Sequence, residues 1–287
     1  MRIAVVGARG QLGASVVQEC RTAHDVVPLS HADLDITDDH AVRDVIARAH
    51  PDAIVNCAAY NDVDGAEDHP VDALNVNAFG VRALALAAEA AGAVLVHYST
   101  DFVFDGTASV PYTETDRPNP RSVYAASKLL GEWFALDAPR AYVLRVESLF
   151  GSAPGADNAK GSAETIRRTL ESGGNARVFE DRTVSPTFVV DAARATKRLL
   201  EQSPAPGVYH CVNSGSCTWL EFARELAQQL GVKDIESRLA PVRVADVPLR
   251  AARPQYCALS NEKLRSAGMA MPPWQQAVAA YVRRVRL

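Results

Sequence analysis

Strand-length apolar runs and longer segments of helical spacing alternate along the first half of this chain, and that alternation leaves few folds open. Residues 3–6, 53–57, 93–98 and 141–146 are short, continuous apolar runs of the kind buried on both faces of a sheet. Residues 11–22, 38–49, 71–91 and 122–136 have helical spacing, and the third is rich in Ala and Leu. Strands separated by helices pair in parallel, because the crossover returns the chain to the end it left. Right-handed crossovers put the helices on both faces, so residues 1–150 are expected to form an α/β, doubly wound parallel sheet. After about Gly151 the pattern loosens, and 151–161 reads as a loop without a core of its own. A smaller C-terminal lobe is expected over 151–287, with helices at 164–172, 191–201, 218–230 and 274–285, and with the 181–196 region returning to the first domain.

Composition narrows the class. With 287 residues, 48% of them hydrophobic, the chain buries enough apolar surface to fold without disulfides or a structural metal. Cys20, Cys57, Cys211, Cys217 and Cys257 form no CxxC pair, and their odd number argues against a disulfide framework, so reduced thiols and a cytoplasmic location are expected. The 30 basic and 34 acidic residues are spread along the chain with a net charge of -4, which leaves no basic stripe for nucleic acid. The apolar run after Met1-Arg2 is too short for a signal peptide or a membrane span, so no membrane association is expected. The seven histidines are scattered without metal-ligand spacing, and no metal is assigned.

Gly7-Ala8-Arg9-Gly10-Gln11-Leu12-Gly13 follows a strand and opens a helix. Glycines there allow a pyrophosphate close to the backbone, and the helix N-terminus supplies unpaired N–H groups and a favourable dipole. This context makes the sheet Rossmann-type and the ligand a dinucleotide. A carboxylate that would select an unphosphorylated ribose is missing from the end of the second strand, Val26-Val27-Pro28-Leu29-Ser30-His31, so NADPH is favoured over NADH. Arg9 either pairs with a 2′-phosphate or is simply solvated. Asp33 and Asp35, with Ile36, either contact the adenosine or, for the two acids, cap the helix near Asp38.

Tyr124-Ala125-Ala126-Ser127-Lys128 begins a predicted helix, and the i to i+4 spacing puts the phenol and the ammonium on one face. A free phenol ionises near pH ~10, and a neighbouring lysine cation would bring it closer to working pH. A hydroxyl leaving the preceding strand should complete the set, and of Ser99 and Thr100 we select Thr100. The alternative is that both hydroxyls satisfy backbone groups at a strand end.

These residues resemble the extended short-chain dehydrogenases and, within them, the dTDP-4-dehydrorhamnose reductases. The resemblance runs through GARGQLG (7–13), DLDITD (33–38), VNCAAYNDVDGAE (55–67), STDFVFDG (99–106), YAASKLLGE (124–132), VSPTFVVDAA (184–193) and GVYHCVNSG (207–215). It implies that NAD(P)H reduces the C4 carbonyl of a nucleotide-linked 4-keto-6-deoxyhexose, with Tyr124 protonating the oxygen, Thr100 hydrogen-bonding it, and Lys128 tuning Tyr124 and holding the nicotinamide ribose. It implies further that Ala58, Ala59, Tyr60 and Asn77 serve the cofactor site. The sugar pocket should then lie among Val63, Val103, Phe104, Glu147, Ser148, Ser185 and Pro186, under the C-terminal, substrate-binding lobe. Where the family has Arg-Thr-Ser-Trp-Val-Tyr-Gly, this chain has Arg145-Val146-Glu147-Ser148-Leu149-Phe150-Gly151, and the 153–163 loop departs from the family pattern as well. A sugar-nucleotide dehydratase is disfavoured because Asp101 is followed by Phe102, leaving one carboxylate without a neighbour. An epimerase remains an alternative, as does a non-catalytic regulator similar to the regulatory subunit of methionine adenosyltransferase. A homodimer is the expected assembly.

Overall fold

The computed structural model describes residues 1–153, 156 and 161–286. Most of the 153–163 loop, whose sequence departs from the family pattern, lies outside the described residues.

Six strands form one sheet: β1 (Arg2–Val6), β2 (Asp25–Leu29), β3 (Ala53–Asn56), β4 (Val94–Thr100), β5 (Ala141–Val146) and β6 (Gly207–His210). Their order is β6-β5-β4-β3-β1-β2, and every pairing is parallel. The chain reverses direction across the sheet between β1 and β3, so the crevice for a ligand opens above the C-terminal ends of those two strands. Pro28 sits in β2, where the edge position tolerates a residue that cannot donate to a ladder. The sixth strand comes from beyond the 181–196 return. Its Gly-Val-Tyr-His sequence carries too few apolar residues to stand out as a buried run.

Alternation along the strands divides the core in two. Ile3 and Val5 join one apolar layer with Val16 and Val17 of α1 (Gln11–Cys20), while Ala4 and Val6 join the other with Val42 and Ile46 of α2 (Asp39–Ala49). The second layer also holds Val81 and Leu84 of α3 (Pro70–Ala91). That helix is long and apolar enough to cross a membrane, yet here its apolar face is core beneath the sheet.

Local sequence sets the helix ends. Asp38 caps α2 by accepting from the N–H groups of His40 and Ala41 at 2.9 and 3.0 Å. Ser122 caps α4 (Val123–Leu136) through the Ala125 N–H at 3.2 Å. Asp33 and Asp35 cap nothing: Asp33 bonds the Ser30 N–H and hydroxyl, and Asp35 those of Thr37, so both close turns between β2 and α2.

Beyond β5, α5 (Ser162–Glu171), α7 (Trp219–Leu230) and α8 (Trp274–Val285) gather around stacked and edge-on rings of Phe150, Phe188, Phe222, Trp274 and Tyr281. Helix α6 (Val189–Gln202) instead lies on α1, against the main sheet. All five cysteines are free thiols, and four of them are buried.

Within α3, residues Asn75–Phe79 form a π turn, a geometry that widens the helix by one residue and re-aims its side chains. Helix α4 crosses this turn so closely that a Cβ on Gly131 would stand 2.1 Å from the Asn77 carbonyl oxygen. Gly131→Ala should therefore cost about 1–3 kcal/mol by overpacking. The expected reading is a lower urea midpoint at unchanged m-value; an unchanged midpoint would show that the helices separate freely.

Candidate active site

The glycine turn sits at the strand-order reversal. Gly7 has φ of +74°, and a Cβ there would come within 2.7 Å of the Ala58 nitrogen, so only glycine lets the loops after β1 and β3 meet. Gly13 plays a similar part inside the turn, since its Cβ would lie 2.1 Å from the Gly7 oxygen. Leu12 is buried beneath the turn, and the Gln11 side chain donates to the Gly151 carbonyl at 2.7 Å, tying the loop to the segment after β5.

A cleft of about 640 Å³ opens from this turn, a size suited to a small ligand or cofactor portion. Gly7, Arg9 and Gly10 form one wall, Asp35 and Ile36 a second, and Ala58, Ala59 and Tyr60 a third. The structure thus brings these sequence candidates together. Ser30, His31 and Ala32 also line the cleft, and Arg9 lies close enough to Asp33 to favour its ionised form after the Ser30 hydrogen bonds.

Asn77 does not border the cleft. It is fully buried in the π turn, where its amide accepts from the Tyr60 N–H at 2.9 Å and donates to the Tyr60 carbonyl and the Ser127 hydroxyl, both at 3.0 Å. Ser127 in turn donates to the Tyr124 carbonyl at 2.8 Å. Asn77 thereby locks the loop after β3 to the helix that carries Tyr124 and Lys128.

Tyr124 stands in the first turn of α4, buried among Tyr60, Val63, Ala66, Ala73, Phe102 and Val123. Burial and the Asp101 carboxylate push its phenol above the ordinary range, while the Thr100 hydroxyl works the other way. Lys128 stands one helical turn further along α4. It donates to the Tyr98 carbonyl at 2.7 Å, and burial brings its own pKa down to about 8. The site therefore holds Tyr124 as a neutral phenol, an acid with a proton to give.

The expected sugar-contacting residues divide. Val63 and Ser148 are partly exposed. Val103 and Phe104 are 0% and 1% exposed, in a core cluster with Tyr112, Leu129, Val212 and Leu259, so they back the site rather than line it. Phe104 stacks on Tyr112 at 4.2 Å and lies under the Arg145 guanidinium. Ser185 and Pro186 are buried, and the Ser185 N–H donates to Glu147 at 2.6 Å. Asp101 is not without an acidic neighbour: Glu147 approaches it from the adjacent strand end, with ligand atoms of the two and Cys257 all within 4.8 Å. The register explains this, since Thr100 pairs with Val146 and the next residue of each strand is the carboxylate.

Three features escaped the sequence reading because their partners are far apart in the chain. Arg253 pairs with Asp64 at 2.9 Å, and both Arg253 and Arg182 lie within 6 Å of the Phe102 ring, at 5.9 and 5.8 Å. Beneath the site, Glu132 of α4 accepts from Arg145 of β5 at 2.8 and 2.7 Å and from the Ser99 hydroxyl of β4 at 2.5 Å.

The sheet order, the glycine turn and the Thr100, Tyr124 and Lys128 set define an extended short-chain dehydrogenase. The model of the RmlD substrate binding domain matches residues 1–287, and the chain belongs to that family. It is 38% identical over 285 residues to a dTDP-4-dehydrorhamnose reductase of Mycobacterium tuberculosis, covering 97% of this chain and 91% of that one. It is 35% identical over 285 residues to a probable dTDP-4,6-dihydroxy-2-methyloxan-3-one 4-ketoreductase of Streptomyces antibioticus, covering 97% and 93%. Among solved structures, the dTDP-4-dehydrorhamnose reductase of Bacillus anthracis in complex with NADP superposes with a TM-score of 0.92 at 32% identity, covering 99% of each chain.

Removing one member of the Glu132–Arg145 pair leaves a buried charge uncompensated. Glu132→Ala is expected to cost about 3–5 kcal/mol in chemical denaturation, and Glu132→Met combined with Arg145→Met to recover much of that loss. Equal losses in the single and the double variant would show that the pair's charge is not what matters.

Proposed function

We propose that this protein uses NAD(P)H to reduce the C4 carbonyl of a dTDP-linked 4-keto-6-deoxyhexose in deoxysugar biosynthesis. The observation that carries the reading is the buried Tyr124 phenol in the first turn of α4, packed against Tyr60, which also lines the cleft at the glycine turn. The relatives named as a dTDP-4-dehydrorhamnose reductase and as a probable 4-ketoreductase of a dTDP-linked sugar support the substrate class, and the NADP complex of the similar structure supports the cofactor.

The reduced nicotinamide, when bound, supplies hydride to the carbonyl carbon. Tyr124 Oη–H gives its proton to the carbonyl oxygen, and the Thr100 hydroxyl steadies the charge growing there. Lys128 Nζ, which donates to the Tyr98 carbonyl, holds the nicotinamide ribose. The Gly7–Gly13 turn and the N-terminus of α1 take the pyrophosphate, between Ala58–Ala59–Tyr60 and Asp35–Ile36, with NADPH preferred through Arg9. Val63 and Ser148 contact the sugar, and the charge of Arg253 favours its diphosphate. A regulator that only bound the cofactor would have no use for an oriented acid, which favours an enzyme over that alternative.

The first domain holds the cofactor, the lobe after Gly151 holds the sugar nucleotide, and the protein works in the cytoplasm. Phe79, Leu86, Trp133 and Leu136, exposed on the neighbouring helices α3 and α4, supply the face for a homodimer.

Tyr124→Phe should lower kcat by about 10²–10⁴ with little change in KM, followed by the loss of reduced-nicotinamide absorbance with a dTDP-4-keto-6-deoxyhexose. A folded wild-type chain that binds NADPH but consumes none would favour the regulatory reading. Arg9→Ala should weaken NADPH by about 1.5–3 kcal/mol, the worth of a hydrogen bond to a charged group, and leave NADH nearly unchanged. Equal effects on the two cofactors would remove Arg9 from 2′-phosphate recognition.

A further inference from the structure

Beside Thr100, two acids and a thiol from three separate segments meet, and the mechanism above uses none of them. Asp101 and Glu147, 4% and 2% exposed, follow directly on the paired strands β4 and β5. Cys257, 1% exposed, arrives from the second lobe, where its N–H donates to the Thr183 carbonyl at 2.8 Å. One donor atom from each of the three lies within 4.8 Å of the others. Asp101 Oδ1 accepts the Thr100 hydroxyl at 3.0 Å, and Glu147 Oε2 accepts the Ser185 N–H at 2.6 Å. The other oxygen of each, Asp101 Oδ2 and Glu147 Oε1, is buried with no hydrogen-bond partner among the described residues. The Cys257 thiol, a weak donor, is directed to the Pro254 carbonyl at 3.3 Å. Glu147 belongs to the stretch in which this chain departs from the family's Arg-Thr-Ser-Trp-Val-Tyr-Gly.

Two unpartnered carboxylate oxygens standing together in a dry site are strongly unfavourable unless a positive charge lies between them. The cation that acts on all three groups is Arg182, but its Nε donates to the Pro254 carbonyl at 3.2 Å and its Nη2 to the Cys257 sulfur at 3.8 Å. Neither orphan oxygen receives it. Arg253 is paired with Asp64, and Lys128 donates to the Tyr98 carbonyl. Burial, joined at Glu147 and Cys257 by the neighbouring carboxylates, pushes all three groups upward, Asp101 to about 6. A guanidinium donating to sulfur favours the thiolate, the form in which cysteine ligates a metal. With the thiol ionised, three negative charges face one guanidinium, and the excess of two is the charge of a divalent cation. The donors are two hard oxygens and one soft sulfur, a set that suits zinc and not magnesium or calcium, which take oxygen alone. Donors around a tetrahedral zinc ion stand roughly 3.3–3.6 Å apart, a spacing that modest side-chain rotation reaches from the present one.

We propose that Asp101, Glu147 and Cys257 bind a divalent metal ion, zinc by the chemistry of the donors, which ties the ends of β4 and β5 to the 254–259 segment of the second lobe. The site is independent of the reductase reading. Each acid binds through the oxygen it does not use elsewhere: Asp101 through Oδ2, keeping Oδ1 on the Thr100 hydroxyl, and Glu147 through Oε1, keeping Oε2 on the Ser185 N–H. Water takes the fourth position. On binding, the S–H bond of Cys257 breaks, a zinc–sulfur bond forms and the proton goes to solvent, with no change of oxidation state. The ion is structural, and through Asp101 it positions the Thr100 hydroxyl. Its ligands are scattered along the chain, so no ligand spacing marks the site in the sequence.

The test is elemental analysis of the untagged full chain, purified from zinc-supplemented cells and again after unfolding, chelation and refolding with Zn²⁺. The wild type should hold about one zinc ion per chain by either route. Cys257→Ser and Glu147→Gln should each weaken zinc by at least about tenfold, since even the outer partners of a bound metal are worth that much. Cys211→Ser, which alters a buried thiol outside the cluster, should keep the ion. Refolding the wild type with Co²⁺ should give the near-ultraviolet charge-transfer band of a cobalt–thiolate bond, and Cys257→Ser should lose it. The wild-type band reads the sulfur ligand directly, however the variants fold, and neither readout depends on turnover. A folded wild type without zinc by both routes overturns the proposal. So does a cobalt spectrum without the thiolate band, or zinc held as tightly by Cys257→Ser and Glu147→Gln as by the wild type. Equal loss of zinc in Cys211→Ser overturns it as well.

Discussion

Glu132 gives both carboxylate oxygens to Arg145 and shares one of them with Ser99, while its own helix carries Lys128 one turn earlier and Tyr124 a turn before that. Three elements that must agree to within fractions of an ångström are thereby fixed by one buried acid: β4, which ends in Thr100, β5, which ends beside Glu147, and α4. Ion pairs of this kind contribute little net stability against well-packed apolar residues, but they discriminate sharply against any arrangement that separates the partners. The contacts above are of the same character. Gly131 lets α4 touch the Asn77 carbonyl, and Asn77 reaches on to Tyr60 and Ser127, so the cleft wall at Tyr60 and the helix turn that carries Tyr124 rest on the same turn of helix.

What was legible in the sequence follows from what is local. The strands buried on both faces announce themselves as continuous apolar runs, and β6, with glycine and histidine among its four residues, does not. The glycine turn and the Tyr124 to Lys128 spacing are each contained in a few residues, so their geometry is a property of a turn and of a helix. Asp101 and Glu147 are 46 residues apart in number but neighbours in register, and only the pairing of Thr100 with Val146 reveals it. The same limit explains Val103 and Phe104. Their motif places them near the site, but whether they face it or support it depends on Tyr112, Leu259 and Val212 arriving from elsewhere.

Burial does opposite things to the two central groups, and the direction of the chemistry depends on both. Desolvation disfavours charge, so it raises the Tyr124 phenol and lowers the Lys128 ammonium to about 8, which leaves Lys128 mainly protonated at neutral pH. A phenol held neutral is poorly suited to begin an oxidation, where a base must accept a proton first, and well suited to a reduction, where an acid must give one. The consequence falls on the step after transfer. A phenolate left in the same dry surroundings, beside the Asp101 carboxylate, is more basic than in water and must be reprotonated before the next turnover.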